Sequence, residues 1–234
     1  MKTLNKYINM KHINTYIVEK LKISKNKRTE YTLFPKYREE LIDMITKEIN
    51  RNGNECNLNH IDVSQITDMN FVFSDDAWNP DISEWDVSNV TNMRCMFYNN
   101  SAFNGDLSNW DVSNVENMCD MFFNTKFNND SICDWDVSNV KYMNGMFDNA
   151  SFNYSLNNWD VSNVKEMSQM FFGAFYNKPL NNWDVSNVID MSDIFNSSDF
   201  NQDISGWKIN PKCKVNDMFK NCKIKSEFIP EGTS

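Results

Sequence analysis

Carboxylates recur along this chain at a fixed step. Asp62, Asp86, Asp111, Asp136, Asp160 and Asp184 follow one another every 24 or 25 residues. Such a row can hold cations or a basic macromolecule. Alternatively, each carboxylate can be engaged locally by Ser and Asn hydroxyl, amide and backbone groups. Like charges on strands ~4.8 Å apart repel unless compensated, so local pairing is the stronger expectation. A calcium array is disfavoured because the glycine-rich nonapeptide signature is absent, and no metal site is predicted. The six cysteines, Cys56, Cys95, Cys119, Cys133, Cys213 and Cys222, contain no CxxC pair, which argues against zinc. They read as reduced thiols, with Cys213 and Cys222 together in the last repeat.

Nothing in the chain assembles a catalytic constellation. Its only histidines are His12 and His60, and no glycine-rich phosphate loop, G-x-S-x-G or HExxH is present. Acidic pairs such as Asp75-Asp76 carry no weight where carboxylates are this frequent. The expectation is a protein that is not an enzyme and needs no cofactor.

Charge divides the chain. Residues 1–51 hold 12 Lys and Arg against 6 Asp and Glu, whereas residues 57–207 hold 5 against 22. An acidic body repels phosphate backbones, which argues against nucleic acid and for a basic protein partner. The segment Met1 to Met10 has neither an apolar run nor a small-residue cleavage site, and no lipobox follows. No window holds the ~18 apolar residues of a membrane span. These features point to a cytoplasmic or virion-associated protein.

The elements that position the carboxylates are repeats. Trp-Asp-Val-Ser-Asn-Val starts at Trp85, Trp110, Trp135, Trp159 and Trp183, with a degenerate copy at Ile61 and a decayed one at Trp207. Leu58, Ile82, Leu107, Ile132, Leu156, Leu180 and Ile204 stand three residues ahead. With Val87 and its equivalents they spell L-x-x-L-x-L, which predicts a strand with Trp and Val on one side and Asp and Ser on the other. Val90, Met93, Met96 and Phe97 then predict a short helix, with Ser88 as its N-cap. Stacking buries Trp, Met and Phe as a continuous core. Asn79, Asn104, Asn128, Asn153, Asn177 and Asn201 each follow an aromatic and predict an internal asparagine ladder.

The ends differ from the body. Residues 1–54 read as a helical cap, with one helix over 11–23 and a second opened by Pro35 and stopped by Gly53, burying Leu41, Met44, Ile45 and Ile49. About seven repeats fill 55–222, and 223–234 form a C-terminal tail. The predicted fold class is an α/β repeat solenoid: a leucine-rich-repeat-like stack of short parallel strands and short helices.

The words Ile204-Ser205-Gly206-Trp207 and Trp85-Asp86-Val87-Ser88-Asn89-Val90-Thr91-Asn92-Met93, ending in Met96-Phe97, resemble the BspA-type leucine-rich repeats, the bacterial surface protein repeat of about 26 residues. The resemblance covers about residues 57–222. It implies adhesion and host contact as in lipoproteins and wall-linked surface proteins, although this chain shows no signal, lipobox or wall anchor. Other members belong to protist, phage and giant-virus genomes, and the basic N-terminal segment resembles leaders of gut-bacterial phage proteins. The family supplies no catalytic residues. The expected function is a protein-interaction module binding through an acidic, strand-side surface made of Asp86, Asp111, Asp136, Asp160, Asp184, Glu84 and Asp134. Asn109, Asn158 and Asn182 vary the pattern in the Glu84 row. The alternatives are a structural or decoration component of a phage or virus particle, and a surface adhesin using Tyr98, Phe123, Tyr142 and Phe172. Oligomeric state is left open.

Overall fold

The computed structural model describes residues 30–233. The helix expected over 11–23 lies outside them. Helix α1 spans Arg38–Asn52. Leu41, Ile45 and Ile49 recur at helical spacing and are buried, with Met44 half-buried beside them. Gly53 ends the helix with a φ of 92°, and its amide donates to the Ile49 carbonyl at 2.8 Å. Arg38 reaches the Asn70 carbonyl at 3.1 Å and also the Asn70 side chain, which ties α1 to the first coil.

Beyond α1 the chain winds in coils whose corners are made by Asn, Asp and Ser. These side chains accept hydrogen bonds from amides two residues on, closing turns without help from other segments. Asp106 Oδ1 accepts from the Ser108 amide at 2.9 Å, and Asp111 Oδ1 accepts from the Ser113 amide at 3.1 Å. Asn117 Oδ1 does the same for the Cys119 amide at 3.0 Å. Backbone turns join them: the Trp110 amide donates to Leu107 at 3.1 Å and the Val115 amide to Val112 at 2.9 Å. The abundance of Asn, Asp and Ser is therefore turn chemistry.

Successive coils are held by bonds that repeat at the same step. Isolated parallel bridges run Asp68, Asn92, Asn117, Tyr142, Glu166, Asp190, Lys214. Amides of Met93, Cys95, Phe97 and Asn99 donate to carbonyls of Asn117, Cys119, Met121 and Phe123 at 2.8 to 3.0 Å. Inside, Phe73, Phe97, Phe122, Phe147, Phe171 and Phe195 form a buried column with centroids 5.4 to 5.8 Å apart, and Phe219 closes it at 6.0 Å. Each repeat Trp is buried and donates its indole N–H to a carbonyl one coil back. Trp135 to Leu107 is 3.2 Å and Trp183 to Leu156 is 2.8 Å. A carbonyl that already accepts a turn amide thereby gains a second donor at every level, and the buried indole N–H is satisfied.

These findings correct the expected fold class. Among the described residues there is one α-helix and no strand, so the chain is not an α/β repeat of parallel strands and short helices, and the leucine-rich-repeat description falls with it. The expected strand, Leu107 to Val112, is broken by the turn that closes Trp110 onto Leu107 and by the Asp111 turn that follows. Parallel pairing falls instead on the Asn92 row. The expected helix fails because two positions per coil carry positive φ: Cys95 and Asn99 at 53° and 55°, Asp120 and Asn124 at 55° and 50°. A left-handed residue ends right-handed helical bonding. Ser88 caps no helix; its amide and hydroxyl donate to Asp86 Oδ1 at 3.1 and 2.6 Å.

The asparagine ladder forms, at the rim of the core, with Asn79, Asn153, Asn177 and Asn201 half-buried. Asn79 Oδ1 accepts from the Asn104 amide at 3.0 Å, and this bond recurs through Asn128, Asn153, Asn177 and Asn201 to the Lys225 amide. Asn104 and Asn128 are exposed. Residues 223–229 lie against the last coil, where Phe228 O accepts from the Ile204 amide at 3.1 Å.

Candidate functional site: the acidic repeat row

The turn that follows each Trp sets the Asp row. Trp and Val, flanking the Asp, point into the core, so the Asp between them points out. Asp86, Asp111, Asp136, Asp160 and Asp184 are all exposed. Each Oδ1 accepts from the Ser amide two residues on, at 3.0 to 3.1 Å. Ser hydroxyls add a second bond at 2.6 Å to Asp86 and Asp111. The local pairing expected for this row is thus present, yet the charge stays at the surface. Hydrogen bonds from Ser138 hold the Asp136 carboxyl below its ordinary range, and those from Ser186 do the same for Asp184. Such carboxylates stay ionised at neutral pH.

Glu84 and Asp134 are also exposed and sit one residue before Trp85 and Trp135, so they flank the row. The structure brings Asp111, Asp134 and Asp136 together with Asp130 around one groove of about 500 Å³, floored by Trp110 and Trp135. A second hollow of about 350 Å³ joins Asp160 and Asp184 with Asn158 and Asn182. Glu84 and Asp86 line neither. The row is not a strand face, because its backbone is a succession of turns. Among the described residues, no ion pair involves any of the five Asp carboxylates or Asp134. Three cations pair with other carboxylates: Lys141 with Glu116 at 2.9 Å, Lys214 with Asp190 at 3.1 Å and Arg94 with Asp120 at 3.9 Å.

A second acidic cluster was not singled out by the repeat pattern. Asp148 is 6% exposed. Burial raises its carboxyl to about 6, with Asn149 opposing and Asp120 adding to the rise. Burial also raises Asp120, against the opposing pull of Arg94 and Cys95. Cys95 Sγ lies 3.8 Å from Asp120 Oδ2, and burial, with Asp120 adding, pushes that thiol up to about 12. One sequence signal marks the place. Asp148 stands where Tyr98, Phe123 and Phe172 stand in other copies, and Gly145 stands where Cys95, Asp120 and Gln169 do. All six cysteines are free, and no group of three or more candidate ligands could hold a metal among the described residues.

Fold and row together define a tandem-repeat protein that presents one acidic pattern at successive levels. Residues 41–151 and 123–230 both match the family described as Mycoplasma protein of unknown function, DUF285. The two matches overlap and together span 41–230, so the chain belongs to that family. No curated protein and no solved structure matches the chain. Among the described residues, no helix is long and apolar enough to cross a membrane.

Proposed function

We propose that this chain is a non-enzymatic binding module that holds a basic protein partner on its acidic repeat row. The observation that carries the reading is the set of five exposed Asp carboxylates, repeated at one position of successive coils and in no ion pair among the described residues. Hydrogen bonds between successive coils keep them in register, so a partner with spaced Lys and Arg meets several at once. Hydrogen bonding from Ser138 and Ser186 favours the ionised state of Asp136 and Asp184. Glu84 and Asp134 vary the row next to it and would set partner preference. The likeness of the repeat words to BspA-type repeats, whose exported members are implicated in adhesion, agrees with recognition rather than catalysis.

The test is titration of the full chain with decalysine. The variant Asp111→Asn/Asp134→Asn/Asp136→Asn keeps an amide oxygen as turn acceptor, the role that Asn129 already plays for Ser131. It removes only charge. Three exposed pairs at ~0.5 kcal/mol each predict about tenfold weaker binding, and added salt weakens the wild type further. Equal affinity of variant and wild type would refute the reading.

A further inference from the structure

One row of each coil hands its hydrogen bonds on in a single direction. Amides of Met167, Gln169, Phe171 and Gly173 donate to carbonyls of Asp190, Ser192, Ile194 and Asn196 at 2.9 to 3.0 Å. Amides of Met191, Asp193, Phe195 and Ser197 donate in turn to Lys214, Asn216, Met218 and Lys220 at 2.8 to 3.1 Å. The equivalents one level on are the amides of Val215, Asp217, Phe219 and Asn221. These four meet no acceptor among the described residues. The coil that carries them is built like the others. Asp217 and Asn221 have φ of 51° and 55°, as Asp193 and Ser197 have 59° and 58°. Amides of Met218, Lys220 and Cys222 close its turns onto Val215, Asp217 and Phe219 at 3.0 to 3.3 Å. The segment that follows bonds elsewhere, Lys225 to the asparagine ladder and Phe228 O to the Ile204 amide.

Such a row is half of an interface. Unpaired N–H groups in line are a template for another chain, and aligned amides leave partial positive charge at the end they point to. The apolar column stops there too: Phe195 is buried, whereas Phe219, 6.0 Å beyond it, is half-buried. Charge reverses at the same place. Residues 208–225 carry six lysines, all exposed, and one acidic residue, Asp217. Lys214 and Lys220 bracket the open amides in sequence, with Lys212 next to them. A second copy of this chain fits poorly. Tail against tail sets donors against donors and lysines against lysines. At the head, α1 buries Leu41 and Ile45, and Arg38 already takes the Asn70 carbonyl, the acceptor that an incoming Asp217 amide would need.

We propose that the end formed by residues 214–221 docks an acidic, turn-forming segment of another protein, which adds one further level to the stack. Its backbone carbonyls accept from the four open amides, and its carboxylates face the lysines. Main-chain bonds of this kind give affinity, and the side chains give selection. This surface uses none of the residues of the acidic row and selects the opposite charge.

The test is amide spectroscopy of the full chain with deca-aspartate, whose residues both close turns and carry charge. In the free chain, the amides of Val215, Asp217, Phe219 and Asn221 should exchange with solvent much faster than those of Met191, Asp193, Phe195 and Ser197. Saturating peptide should shift those four resonances and slow their exchange about tenfold. The variant Lys212→Gln/Lys214→Gln/Lys220→Gln keeps the amides but loses three exposed charge contacts, and should bind about tenfold more weakly. Shifts near the lysines with the four amides unmoved would overturn the proposal, as would absence of binding or equal affinity in the variant. Self-association of the free chain in sedimentation, with these four amides already protected, would overturn it in favour of a second copy.

Discussion

Replacing Asp148 by Asn should make the protein more stable at pH 8 and only slightly more stable at pH 4. Asp148 is 6% exposed and beside Asp120, and its carboxyl titrates near 6 in the fold against an ordinary 3.8. The folded value lies above the unfolded one. Its contribution is therefore intact below pH 3.8 and is lost as pH rises through 6. Full ionisation costs the fold about 3 kcal/mol. Asn keeps the oxygen that accepts from the Asn149 side-chain Nδ2 at 2.6 Å but never ionises. Urea unfolding followed by tryptophan fluorescence at both pH values measures the difference. Asp120 is raised too, and Asp76 likewise by burial and then Asp75, so the wild type weakens with pH for more than one reason. The difference between variant and wild type isolates position 148. It should grow from about 0.5 kcal/mol at pH 4 to about 3 kcal/mol at pH 8. Parallel pH profiles would refute the assignment of a buried, neutral carboxyl.

The turn backbone gives further expectations. Gly145 has a φ of 59°, and a Cβ there would collide with Asp120 Oδ1. Gly145→Ala should cost about 2 kcal/mol in the same assay, whereas Gly206→Ala, with nothing within 4 Å, should be near neutral. Trp135→Phe removes the indole donor 3.2 Å from the Leu107 carbonyl, which keeps the Trp110 amide at 3.1 Å, and should cost about 1 kcal/mol. Cys95 is 2% exposed with its thiol held near 12, so a disulfide thiol reagent at pH 8 should leave it unmodified until the chain unfolds; rapid labelling in the native state would contradict its burial.

Much of this arrangement is legible in the residues, and the failures have a common cause. The period, the core rows and helix α1 follow from apolar spacing, because burial imposes the same demand at every level. Leu41, Ile45 and Ile49 repeat every four residues, and Gly53 stops them. Val90, Met93, Met96 and Phe97 also look helical, but their spacing comes from successive three-residue turns with a left-handed residue between. The signal was present in the chain: Asp75, Asn99, Asn124, Asn149, Gly173, Ser197 and Asn221 occupy one such position in successive coils. Most are residue types that tolerate positive φ, as helix interiors do not require. The strand over Leu107 to Val112 failed for the same reason, since Asp-x-Ser is a turn word before it is a strand word. The exposure of the Asp row could be read from its place between inward Trp and Val. The grouping of Asp111, Asp130, Asp134 and Asp136 around one groove could not, because it depends on how the two turns of neighbouring coils fold toward each other. Nor could the burial of Asp148, which breaks a row held elsewhere by aromatics.

The most direct test of the acidic row as a partner site is capture from source-cell lysate. The immobilised full chain is compared with Asp111→Asn/Asp136→Asn/Asp160→Asn, and the retained proteins are identified at low and high salt. The account predicts one basic protein that the wild type holds at low salt and that the charge-neutral variant releases. Retention of the same proteins by both chains, or of nothing except further copies of this chain, would contradict it.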